Sequence, residues 1–145
     1  MFRRPLQRLA ALLLTVTLGA CVTSIGEPFA PELKKSYVLT EDLVLTSQEL
    51  SLPGLFQGSQ EVPSVMTREE YRQLKSLNLT EYFPLPDLGE VAQGNRVRVE
   101  QMFTYSDINA RVRYGKLQLT NPATGEQLVA HGVWKYVGPK LRELK

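Results

Sequence analysis

The residues that most restrict the fold are RVRVEQMFTY, 96–105. Val97, Val99, Gln101, Phe103 and Tyr105 fall on one face, and Arg96, Arg98, Glu100, Met102 and Thr104 on the other. A period of two belongs to a half-buried strand and does not fit an amphipathic helix. SDINA, 106–110, supplies turn residues, and Val112 to Thr120 continues as a second strand. In NPATGE, 121–126, proline suits the start of a type I turn and glycine the left-handed position after it, a hairpin signal. Gln127 to Val137 is then expected as a third strand. The product is a three-stranded antiparallel meander.

Side chains select the register of that meander. Val97 set against Leu119, and Val99 against Leu117, puts apolar groups together on one face. On the other face Glu100 then meets Lys116, and Met102 meets Tyr114. A slip of one residue would place valines opposite polar groups. In the second hairpin Leu119 meets Leu128, Leu117 meets Ala130, and Gly115 meets Gly132, which implies a close approach or a bend. Val97, Val99, Leu117, Leu119, Leu128 and Ala130 form the expected core stripe. The same register sets Arg113 between Phe103 and Trp134, and Arg111 between Tyr105 and Tyr136. These six residues are a candidate partner surface. Aromatic faces stack on sugar rings or peptide side chains, and guanidinium groups grip carboxylates or phosphates. In the competing reading the rings cap the core and the arginines cover them, stems packed and heads in water. Asp107 and Asn109 would rim such a surface.

Elsewhere the signals are shorter. Tyr37-Val38-Leu39 and Leu43-Val44-Leu45 are strand candidates on either side of Thr40-Glu41-Asp42. SLPGLFQGSQEVPSV, 51–65, is punctuated by glycine and proline and is expected as loop, with Leu52, Leu55 and Phe56 packed down. Thr67-Arg68-Glu69-Glu70 fits a capping box, and Tyr71, Leu74 and Leu77 give a helix a narrow apolar stripe to about residue 77. The prolines of YFPLPDLG forbid continuation. Gly138-Pro139-Lys140-Leu141 is expected to open a short terminal helix. The fold class is mainly β with one helix: a small antiparallel β-barrel or half-barrel, SH3-like or OB-like in plan. The alternative is an α+β sheet of three to five strands with a helix on one face.

The first twenty residues, MFRRPLQRLAALLLTVTLGA, differ from all of this. Arg3, Arg4 and Arg8 precede an apolar stretch of ten residues from Leu9 to Leu18, the layout of a secretory signal peptide. As a helix it would be about 15 Å long, half the span of a bilayer core. It ends in Leu18-Gly19-Ala20-Cys21, which resembles the lipobox of bacterial lipoprotein precursors. The resemblance implies that residues 1–20 are removed, that Cys21 carries a diacyl group on sulfur, and that the new amino terminus is acylated. The covalent lipid on Cys21 is the one prosthetic group implied. Val22 stands where aspartate would imply retention at the inner membrane, so the expected location is the periplasmic face of the outer membrane. Residues 21–35 are expected as an acylated tether, and 36–145 as a single β-rich periplasmic domain.

Composition narrows the remaining choices. Removal of the leader leaves 125 residues, sufficient for one core. Cys21 is the only cysteine, so packing rather than a disulfide must stabilise the domain. The shortened chain has 14 basic and 15 acidic side chains, which removes the support for a nucleic-acid partner. The charge is uneven: residues 21–95 sum to −6 and 96–145 to +5. The halves either attract one another or leave a basic half for an acidic partner.

Catalytic chemistry has few candidates. The sole histidine, His131, falls mid-strand, and a serine or cysteine nucleophile generally needs a histidine or lysine base. One histidine and a lipidated thiol are a poor start for a zinc site. Glu41-Asp42 and Glu69-Glu70 are chain neighbours that diverge in space. The chain has no glycine-rich phosphate loop. No catalytic, cofactor-binding or metal-ligating residue is therefore expected. The expected role is a non-enzymatic outer-membrane accessory, assembly or adaptor subunit, attached to the membrane by lipid and contacting an envelope protein. The alternative is a glycan-binding module that touches peptidoglycan or lipopolysaccharide.

Overall fold

The structure, a computed structural model, describes residues 23–50, 60–77, 86–106, 110–120 and 124–145. The expected signal peptide, Cys21, the apolar loop residues Leu52, Leu55 and Phe56, and the rim residues Asp107 and Asn109 lie outside them. The elements in chain order are β1 (Thr23–Gly26), β2 (Ser36–Leu39), β3 (Leu43–Leu50), β4 (Gln60–Met66), α1 (Arg68–Ser76) and β5 (Asp87–Val91). There follow β6 (Arg96–Ser106), β7 (Arg111–Thr120), β8 (Gln127–Val133), α2 (Trp134–Val137), a 3-10 turn (Gly138–Lys140) and β9 (Leu141–Glu143). No helix among the described residues is long and apolar enough to cross a membrane.

The alternating residues of the C-terminal half pair as their side chains demand. Val97 faces Leu119 and Val99 faces Leu117. Leu119 faces Leu128, Leu117 faces Ala130, and Gly115 faces Gly132. Among the described residues the meander is extended on both sides into one sheet of nine strands, ordered β5-β3-β4-β8-β7-β6-β2-β9, with β1 also on β6. Every pairing described is antiparallel except β4 with β8, which meet at one parallel bridge, Ser64 with His131. Pro63, next to that bridge, has no amide to add to a ladder.

The sheet curls into a half-barrel, so that both of its edges feed one core. Leu43 and Val91 come from one edge, and Tyr37 and Leu39 from the other. Val97, Val99, Met102, Leu117, Leu119 and Ala130 lie between them, and Val137 of α2 packs in. Each large apolar side chain removed from water contributes about 1.5–3 kcal/mol. The glycine pair is where α2 enters: a Cβ on Gly132 would stand 3.0 Å from Val137, and one on Gly115 3.2 Å from the Trp134 ring. On the opposite face of β3 and β4, Val44 and Met66 pack with Tyr71, and Leu74 lies against them. Tyr71 and Leu74 are stripe residues of α1. Its capping box is formed: the Glu70 amide donates to Thr67 Oγ1 at 3.1 Å, and the Thr67 amide donates to Glu70 Oε1 at 3.0 Å.

Four local expectations are corrected. First, β6 carries a bulge at Glu100, where the register shifts between Val99 and Gln101. Beyond it Gln101 meets Lys116, Met102 meets Gly115, and Phe103 meets Tyr114. One extra residue re-aims everything after it. Met102 enters the core, and Gln101, whose burial would strand an amide, stays out. Second, residues 60–65, expected as loop, are strand, because the partner strand β3 supplies the pairing that Pro63 weakens. Third, β8 stops at Val133 rather than Val137, and the terminal segment is a 3-10 turn followed by a strand.

Fourth, residues 23–35 are not a free tether. Thr23 to Gly26 pair with Ser106 to Phe103. The amide of Glu27 donates to the Met102 carbonyl at 2.9 Å, and that of Lys34 to Val99 at 3.3 Å. Between those points the Ala30 amide donates to the Glu27 carbonyl and the Leu33 amide to that of Ala30, and Ala30 and Leu33 pack against the core.

Candidate functional site

The bulge and the early end of β8 decide the fate of the six aromatic and arginine residues. Phe103 is fully buried. Its ring stacks on Tyr114 at a centroid distance of 5.5 Å and meets the His131 ring edge-on at 5.7 Å. Tyr105 is half-buried and pairs across the sheet with Val112, while Arg111, opposite Ser106, is exposed. Trp134 leaves the sheet and turns its ring over Gly115 and Gly138; a Cβ on Gly138 would lie 2.9 Å from it. Tyr136 alone of the four rings stands 42% exposed. The six residues thus do not make one platform.

Arg113 is re-aimed by the same shift. It faces Thr104 rather than Phe103 and is held by two carboxylates from the N-terminal segment. Its Nη2 donates to Glu27 Oε2 at 2.7 Å and its Nη1 to Glu32 Oε1 at 2.7 Å; its Nε also reaches Glu27. The Thr104 hydroxyl donates to Glu27 as well. Forked contacts of this kind are the strong form of an ion pair. Hydrogen bonds from Arg113 hold both carboxyls below their usual range. Bonds to Glu32 and Glu27 hold the guanidinium above its own. Arg113 fastens the segment before β2 to β7, and its donors are turned onto Glu27 and Glu32 although the side chain stays partly exposed. With Lys140 on Glu41 at 2.9 Å, these pairs join the acidic half of the chain to the basic half.

What remains open is the surface around Tyr136, where α1 and α2 approach. Tyr136 borders an apolar groove of about 280 Å³, lined also by Met66, Leu74, Leu77, Tyr114, Val133 and the buried Glu70. It also borders a charged cleft of about 730 Å³ that includes Arg68, Arg72, Lys135, Lys140, Glu41, Asp42 and Glu69. Arg68 is engaged by Glu90 at 2.7 Å and Asp42 at 3.3 Å. Arg72 and Lys135 have no carboxylate partner among the described residues, and the Lys135 ammonium stands 5.5 Å from the Tyr136 ring centre. Leu77, which caps α1, is largely exposed beside the groove. An apolar slot with a charged border has the layout of a protein-contact surface. Sequence patterning carries no sign of it, because α1 and α2 are 58 residues apart from Ser76 to Trp134 and only the curl of the sheet brings them together.

The titratable groups near the groove already have structural work. Burial pushes the Glu70 carboxyl up, against the hydrogen bonds from Thr67. Burial also raises the Tyr114 hydroxyl. The His131 imidazole is pushed down by burial and by Lys116, against a hydrogen bond to the backbone of Pro63. No group of three or more potential metal ligands occurs among the described residues. No family model matches the chain, and neither the curated proteins nor the solved structures contain a match.

Proposed function

We propose that the protein is an outer-membrane lipoprotein, held by acyl chains on Cys21, whose domain works as a non-enzymatic adaptor for an envelope protein. The observation that carries the reading is Leu18-Gly19-Ala20-Cys21 at the end of a charged and then apolar leader. The surface around Tyr136 supports the second half of it. The groove suits an apolar side chain of the partner, and Arg72 and Lys135 suit carboxylates beside that side chain.

Photo-crosslinking residues placed at Tyr136 and at Leu77 in the native host test this. Both positions are expected to give adducts with one protein of the same mass, and Val129, exposed on β8, to give none. Reversing the charges of Arg72 and Lys135 is expected to weaken those adducts. Absence of any discrete adduct at Tyr136 and Leu77 contradicts the adaptor reading.

Glycan binding is the second reading, and Tyr136 beside the charged cleft, with Arg72 and Lys135 in its wall, is its remaining support. Retention of the lipid-free domain on purified sacculi, lost on Tyr136→Ala, would favour it over the adaptor. No retention at low salt removes peptidoglycan as the ligand.

A further inference from the structure

Residues 26–35, expected as a slack tether, contain the most exposed large apolar side chain described: Phe29, 95% exposed. It sits in a turn in which the Ala30 amide donates to the Glu27 carbonyl at 3.4 Å, and the Leu33 amide to Ala30 at 3.1 Å. Pro28 precedes it and Pro31 follows, both exposed. Both shoulders of the turn are fixed. Glu27 is gripped by Arg113 and Thr104, and Ala30 and Leu33 are packed on the core. The exposure of Phe29 is therefore built into the fold and is not that of a loose end. Glu27 and Glu32 share the single charge of Arg113, and Arg111, close enough to act on the Glu27 carboxyl, offsets the negative charge left over. Lys34, exposed and without a carboxylate partner among the described residues, stands next to the turn. An apolar tip with a cationic flank is the pattern of a segment that enters a lipid headgroup layer.

The position of the turn along the chain names the occupant. Cys21 is two residues ahead of Thr23, the first residue paired with β6, so covalent geometry keeps it within about 7 Å of that strand. The six steps from Thr23 to Phe29 span at most about 22 Å. We infer that the domain lies directly on the bilayer that holds its acyl chains, with Phe29 as a second, apolar foot in the phospholipid interface. This rests on the lipoprotein reading and adds to it: the adaptor has no reach, and its partner must come to the membrane surface.

The test uses the acylated full chain in protein-free vesicles of phosphatidylethanolamine and phosphatidylglycerol, with bromines on the lipid chains near the headgroup. Phe29→Trp and Val129→Trp are compared, each above the signal of Trp134; both sites are exposed, so neither change disturbs packing. The inference predicts that the indole placed at position 29 is blue-shifted and quenched several-fold more strongly than the one placed at position 129. Intact mass is measured on the same samples. An acylated Phe29→Trp protein whose new indole stays in water, quenched no more than that of Val129→Trp, overturns the inference and leaves the lipoprotein reading standing. Quenching at position 29 that requires other envelope proteins assigns the foot to a protein and also overturns it. A bare Cys21 overturns the lipoprotein reading, and the inference with it.

Discussion

The guanidinium of Arg113 holds carboxylates 86 and 81 residues away in the chain, and that reach makes one side chain responsible for where the N-terminal segment lies. Arg113→Met would leave Glu27 and Glu32 partly covered and without their cation, at a cost of about 1–3 kcal/mol. Hydrogen exchange is the measurement: amides from Glu27 to Leu33 are expected to exchange much faster, and those of β7 and β8 little changed. Both carboxyls are held below the usual value of 4.5 in the fold. Their contribution is therefore complete above that value and lost as pH falls through the lower folded values. Denaturation midpoints followed from neutral pH into acid should drop in that window, and Arg113→Met should flatten the drop. His131 is a second check on the same scale. Its folded pKa lies below 6.5, so the neutral ring's contribution is present above 6.5 and is lost as pH falls through the folded value. As the only histidine in the chain, it gives one NMR titration, expected below 6.5; a midpoint at or above that value would contradict its placement.

At the scale of the element, the bulge at Glu100 determines more than any other irregularity described. Deleting Glu100 removes the extra residue and leaves Gln101 opposite Lys116, Met102 opposite Gly115 and Phe103 opposite Tyr114, with every later side chain on the face it already has. The expected result is a single cooperative unfolding transition, measured by denaturant titration. Loss of that transition would show that the kink itself, and not only the facing beyond it, is needed. The strict alternation from Arg96 to Val99, and its match to Leu117 and Leu119, made that part of the meander legible in sequence. The bulge was not legible, because the alternating pattern continues through Glu100 and the choice between Gln101 and Met102 as the buried residue depends on what lies opposite. The six-residue platform failed for that reason, since its argument ran through the bulge. The capping box at Thr67 was legible because all its partners lie within one turn. Strand β4 was hidden by Pro63 and by neighbours whose pairing with β3 is not local. Strand β1 was hidden by its brevity, and by bonds to a strand some 80 residues later.

For the whole molecule, the half-barrel core joins both edges of the sheet, and Arg113 and Lys140 tie the acidic N-terminal half to the basic C-terminal half. The strand pairing therefore starts at Thr23, two residues after Cys21 in the chain. The mainly β class and the half-barrel were readable from alternation and turn residues. The surface around Tyr136 was not, because it exists only once the sheet has curled and brought α1 to α2. On this account the protein acts by contact, at the membrane that carries its anchor. The mass of the amino-terminal peptide of the protein purified from its native host tests that claim most directly. The account predicts a peptide that starts at Cys21 and carries fatty acyl chains on sulfur and nitrogen; a free Cys21 thiol, or a chain that retains residues 1–20, would contradict it.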